Sequence, residues 1–184
     1  MRAAKSAAVG GAWERRRAAA LKISLYALLA VTALLAQTTL PAPGPWYVRP
    51  LPLIPMAAMI AFFEGPRMGG AFGFVCGALC DWLSTQTVTY YAVALMLFGA
   101  ALGVLIEYSM RRNILSAMFV SIVTVVPVQA VFVALFILLP GRAELTDVIA
   151  VTLPEILYTL ALTPLLYLPA KFIRGRFGET RDRL

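Results

Sequence analysis

Residues 69–83 read GGAFGFVCGALCDWL, four glycines and one carboxylate in an otherwise apolar run. In water a helical glycine costs about 0.8–1.0 kcal/mol relative to alanine, so this run would make a poor helix. In a bilayer the objection weakens, because backbone groups with no water to bond must bond one another. Which solvent surrounds the segment therefore decides what it folds into.

Composition answers. Of the 184 residues, 61% are hydrophobic and 14% charged, and the mean hydropathy is +0.83. Soluble domains carry about 45–50% apolar and about 25% charged residues. The excess is spread over most of the length, which predicts an all-α, polytopic membrane protein. The longest polar segment is the first 20 residues, too little for a water-soluble catalytic region. Histidine is absent, which removes the usual proton shuttle and the commonest metal ligand. Cys76 and Cys80 stand one helical turn apart and lack the CxxC spacing of a redox or zinc site. They read as small buried side chains, and no metal or cofactor is expected. The formal charge of +7 sits in short segments between hydrophobic runs, which predicts attraction to anionic lipid headgroups rather than to nucleic acid.

A hydrocarbon core about 30 Å thick needs about 20 helical residues. Six runs fit or approach that length: 22–39, 51–63, 68–83, 88–108, 114–139 and 148–168. Trp46 and Tyr47 suit an interface between the first two. The second run is short, with Pro52 and Pro55 at its start, and reads either as a full crossing or as re-entrant. Pro127 predicts a kink in the fifth run. Six spans place both termini on one side. Fourteen of the sixteen Lys and Arg residues lie in the tails, with Lys22 at the border of the first run, and in the turns at 64–67 and 109–113, and only Arg49 and Arg142 lie opposite. That asymmetry makes the tails cytoplasmic. Three regions result: a basic N-terminal tail 1–21, a membrane domain 22–170 and a basic C-terminal tail 171–184. The last, with Lys171, Arg174, Arg176, Arg181 and Arg183, either anchors topology or meets cytoplasmic machinery.

Gly69, Gly73 and Gly77 recur every four residues and Asp81 continues the series. Each step of four advances about 40° around a helix, giving a slowly winding stripe that another helix can approach closely. Gly99 and Gly103 repeat the spacing in the fourth run and offer a matching surface; a partner's helix is the other reading. Asp81 lies near the outer end of its span, either at the interface or facing the bundle. Glu155 lies several residues into the sixth span, on the same side, and with Asp81 predicts a polar cavity opening outward. Glu107 is placed to pair with Arg111 at i+4. Two acids with no histidine and no arginine at membrane depth do not assemble a base, a nucleophile and an oxyanion stabiliser, so no enzyme is expected. A transporter remains compatible with a membrane acid.

In this order, the spans and several residues resemble the bacterial rod shape-determining inner-membrane proteins of the MreD type, over roughly residues 22–170. Gln37 matches a Gln near the end of the first span, and Arg49-Pro50 an Arg-Pro pair opening the second. Gly65, Gly70, Phe72, Gly73, Gly77 and Asp81 match a glycine-rich third span ending Gly-x-x-x-Asp. Tyr158 and Pro164 match a Tyr and a later Pro near the last span. The chain departs from the pattern at Leu51, where the family often has Asp, and at 86–90, where it favours a glycine. The resemblance implies a noncatalytic elongasome subunit in the cell inner membrane, acting in cell shape and peptidoglycan synthesis. Its implied partner is a rod-shape scaffold protein with a single membrane helix (MreC type), and through it the actin-like filament protein and the peptidoglycan polymerase and transpeptidase. The family's fold also resembles the substrate-binding subunit of energy-coupling-factor transporters, which keeps a vitamin-type ligand pocket as the second reading.

Overall fold

A computed structural model describes residues 2–40, 49–84, 90–109, 113–138 and 145–177. Among these all regular structure is helical: α1 Arg2–Thr39, α2 Leu53–Glu64, α3 Pro66–Leu83, α4 Tyr91–Ser109, α5 Ile114–Leu138 and α6 Leu145–Phe177. Segments of α1, α5 and α6 are long and apolar enough to cross a membrane, and α2 and α4 contain shorter apolar stretches. This is a membrane protein. Large apolar side chains such as Leu28, Leu97, Leu115, Leu157 and Leu165 are exposed around the bundle, as lipid contact requires.

Two helices run beyond their apolar stretches: α1 includes the basic residues ahead of position 22, and α6 continues past residue 170 to Phe177. Alanine and arginine rank among the better helix formers, so the polar start of α1 prolongs a helix already nucleated in the apolar run. Trp46, Tyr47, Arg111, Arg112, Arg142, Arg181 and Arg183, and the side chain of Glu107, lie outside what is described.

The centre of the bundle is α2. Every residue from Leu53 to Phe63 is buried, and the helix packs against α1, α3, α4, α5 and α6. A helix apolar on all sides has no polar face to turn outward and takes a fully enclosed place. It ends at Gly65, whose φ of +84° is a conformation that residues with a Cβ rarely adopt. Pro66 then opens α3 at a position where its missing N–H costs nothing.

The ends of the helices pair as an antiparallel succession demands. Just past the middle of α1, Tyr26 donates to Glu64 Oε1 at 2.8 Å, and Lys22 Nζ lies 2.6 Å from Glu64 Oε2, so α1 is fastened to the end of α2. At the same end Phe63 meets Tyr167 of α6, ring centroids 5.6 Å apart. At the opposite end Leu51 N–H donates to Thr159 Oγ1 of α6 at 3.0 Å. Backbone ahead of a buried helix has donors with no intrahelical acceptor, and Thr159, itself buried, supplies one.

Candidate functional site

The glycine stripe of α3 is filled from within the molecule. A Cβ on Gly69 would lie 2.6 Å from the Gly99 carbonyl oxygen, one on Gly73 would strike the Leu95 carbonyl, and one on Gly77 would lie 2.5 Å from Ala92 Cα. Conversely, a Cβ on Gly103 would lie 2.5 Å from Pro66 Cα. Helices α3 and α4 thus meet backbone on backbone, and the stripe offers no free surface to another chain. Of the two readings of the stripe, this packing matches the first, in which α4 with Gly99 and Gly103 supplies the facing surface. Gly70 is not held so tightly, since its Cβ would meet Ala100 Cβ at an ordinary 3.4 Å.

Asp81 closes the same interface. Its Oδ1 accepts from the N–H groups of Tyr90 at 3.2 Å and Tyr91 at 3.1 Å, and Oδ2 from Ala92 at 2.9 Å. These are the first donors of α4, which no intrahelical carbonyl reaches. A carboxylate there is favoured both by the hydrogen bonds and by the positive end of the helix dipole. The acid predicted to line a cavity is an N-terminal cap supplied by the neighbouring helix.

Glu155 is reached from Asp81 only through intermediaries. Tyr91, whose N–H binds Asp81, donates its hydroxyl to Gln129 Oε1 at 3.2 Å. Gln129 Nε2 in turn donates to Glu155 Oε2 at 2.9 Å. One polar chain therefore links α3, α4, α5 and α6 inside the half of the bundle opposite Glu64. The Tyr90 and Tyr91 rings lie 4.2 Å apart beside it. Gln129 also borders a groove of about 360 Å³ between α5 and α6, with Val126, Ala130, Ala134, Thr152 and Ile156.

The other predicted positions are dispersed. Gln37 is buried near the end of α1, and its Oε1 meets no donor among the described residues. Arg49 is exposed, Pro50 buried, Gly65 forms the α2–α3 turn, and Tyr158 and Pro164 are half-buried in α6. Cys76 and Cys80 are free and buried. Among the described residues no group of three His, Cys, Asp or Glu could hold a metal. Sequence reasoning missed Tyr91, Gln129 and Thr159. Gln129 carried a usable signal, being a lone amide in the apolar run of α5, because a polar side chain at membrane depth must find a partner.

No protein-family profile, curated protein or solved structure matches the chain.

Proposed function

We propose that this protein is a noncatalytic membrane subunit of the bacterial rod-shape machinery, which binds a scaffold protein with a single membrane helix and so helps control cell shape and peptidoglycan synthesis. In this reading all six helices cross the inner membrane, in an arrangement like the substrate-binding subunit of energy-coupling-factor transporters, and both termini are cytoplasmic. The short α2 is consistent with a crossing: its 12 residues span about 18 Å. The four residues from Arg49 to Pro52 add up to about 13 Å if extended. Non-helical backbone at that depth is tolerated where protein surrounds it, and Thr159 satisfies Leu51 there.

The observation that carries the reading is the use made of the glycines and Asp81. The third-span residues behind the family resemblance, Gly73, Gly77 and Asp81, build the α3–α4 interface and cap α4, which supports reading them as framework. A chain that is nearly all bundle works through its lateral surfaces inside the bilayer. The test has two arms: co-purification with the scaffold protein from detergent, and depletion in a rod-shaped cell. Capture and rounding are expected; failure of both overturns the proposal.

The second reading, a substrate-binding transporter subunit, is favoured by the interior chain Tyr91–Gln129–Glu155, since polar groups at membrane depth often serve a ligand. It predicts saturable thermal stabilisation by a vitamin or ion, which the scaffold reading does not.

A further inference from the structure

Cations gather where α2 ends. Lys22 pairs with Glu64, Lys171 Nζ lies over the Tyr167 ring at 5.7 Å, and the Arg174 guanidinium lies over the Phe63 ring at 5.8 Å. Tyr167, Lys171 and Arg174 follow the i, i+4, i+7 spacing of one helix face, and that face of α6 packs on the end of α2. Both oxygens of Glu64 are engaged, one by Tyr26 and one by Lys22. Arg174 Nη1 is buried and meets no acceptor among the described residues.

A buried guanidinium N–H left unbonded is costly, and native proteins leave few such groups without a partner. Glu64 is fully used by Tyr26 and Lys22, the two α6 cations are held on rings at the same helix end, and one Arg174 donor meets no acceptor among the described residues. The missing component is an anion. Arginine's planar fork matches phosphate oxygens, and the rings of Phe63 and Tyr167 hold the two α6 cations at a fixed place. A membrane protein meets phosphate at the edge of the bilayer, and an anionic leaflet concentrates there.

We propose that Arg174, Lys171 and Lys22 seat one phosphate group, that of an anionic lipid in the leaflet bordering the end of α2. This goes beyond the scaffold role and does not depend on it.

The full-length protein, purified in a neutral maltoside detergent, is titrated separately with phosphatidylglycerol, phosphatidylcholine and inorganic phosphate. Melting temperature and lipid retention in native mass spectrometry are followed. Phosphatidylglycerol is expected to be retained and to raise the melting temperature. Phosphatidylcholine, whose ammonium opposes the three cations, is retained about tenfold less. Arg174→Gln weakens phosphatidylglycerol binding by about tenfold or more, the loss of a charge-assisted hydrogen bond. Lys171→Gln, at an exposed position that leaves the core intact, weakens it severalfold and carries the test if the Arg174 variant does not fold. Equal retention of the two lipids, or unchanged affinity in Lys171→Gln, overturns the proposal. Stabilisation by inorganic phosphate with no preference between lipids assigns the site to free phosphate and overturns the lipid source.

Discussion

Asp81 at the end of α3 and Tyr91 at the start of α4 are joined through the backbone: Oδ1 accepts the Tyr91 N–H at 3.1 Å. One turn earlier, Gly77 leaves the space that the Tyr91 carbonyl occupies. The glycine lets α4 settle onto α3, and the acid then reaches the donors of its first turn. Glycines and a carboxylate share one run because each makes the other effective.

Replacing Asp81 by Ala leaves three donors of α4 without their acceptor. A loss of about 2–4 kcal/mol is expected from cap and dipole together, read as a lower melting temperature in detergent. Asp81→Asn keeps one acceptor oxygen and should lose less. A melting temperature unchanged in Asp81→Ala would show that the cap contributes nothing.

Gly73→Leu and Gly77→Leu should sharply reduce the yield of folded monomer, because their side chains meet backbone that cannot yield locally. Gly175 is the control: a Cβ there meets nothing within 4 Å. Gly175→Ala should instead stabilise α6 by about 0.5–1 kcal/mol. Size-exclusion chromatography and thermal melts separate the two outcomes.

Thr159→Val keeps the shape of the side chain and removes the acceptor for Leu51 N–H. About 1–3 kcal/mol of stability should go with it, and Thr159→Ser should restore most of it. Equal melting temperatures for Val and Thr at this position would mean that the Leu51 N–H finds another acceptor.

Glu64 holds α1 through two partners, so their contributions should couple. Tyr26→Phe is expected to cost about 1–2 kcal/mol. Lys22→Met should cost more, since it leaves Glu64 without its cation. Lys22→Met combined with Glu64→Gln should recover part of that loss. A double-mutant cycle measures the coupling, and strict additivity would contradict it.

Reporter fusions at residue 45 and at the C-terminus test the proposed topology. They should report opposite compartments, the C-terminus cytoplasmic. A shared compartment would remove the even number of crossings.

Hydropathy made the helices legible, because lipid demands long apolar runs whatever the tertiary packing. The starts and ends of α2, α3, α4 and α5 fall within about three residues of the runs read from sequence, the usual uncertainty of helix boundaries. The central place of α2 was not legible. Its run is apolar throughout, so no periodic face distinguishes a helix among helices from one against lipid. The glycine spacing revealed close packing but not the neighbour, since small-residue repeats suit an internal helix and a foreign one equally. Asp81 was visible as an acid out of place, whereas its use depended on where the chain turns back, nine residues on, at Tyr90. Gln129 and Glu155 were 26 residues apart in sequence, and nothing in the spacing of two separate apolar runs sets their mutual depth.

The enclosure of α2 has a consequence for biosynthesis. Four of the five helices that surround it, α3 to α6, leave the ribosome after it does. Its final seat does not exist when it emerges, and in the proposed six-span topology its 12 residues make a weak stop for the insertion machinery, which favours segments of about 20 residues. Completion of α6 therefore sets the earliest moment at which the middle of the molecule can be sealed, and a chain truncated before Thr159 should be cleared by membrane quality control instead of accumulating.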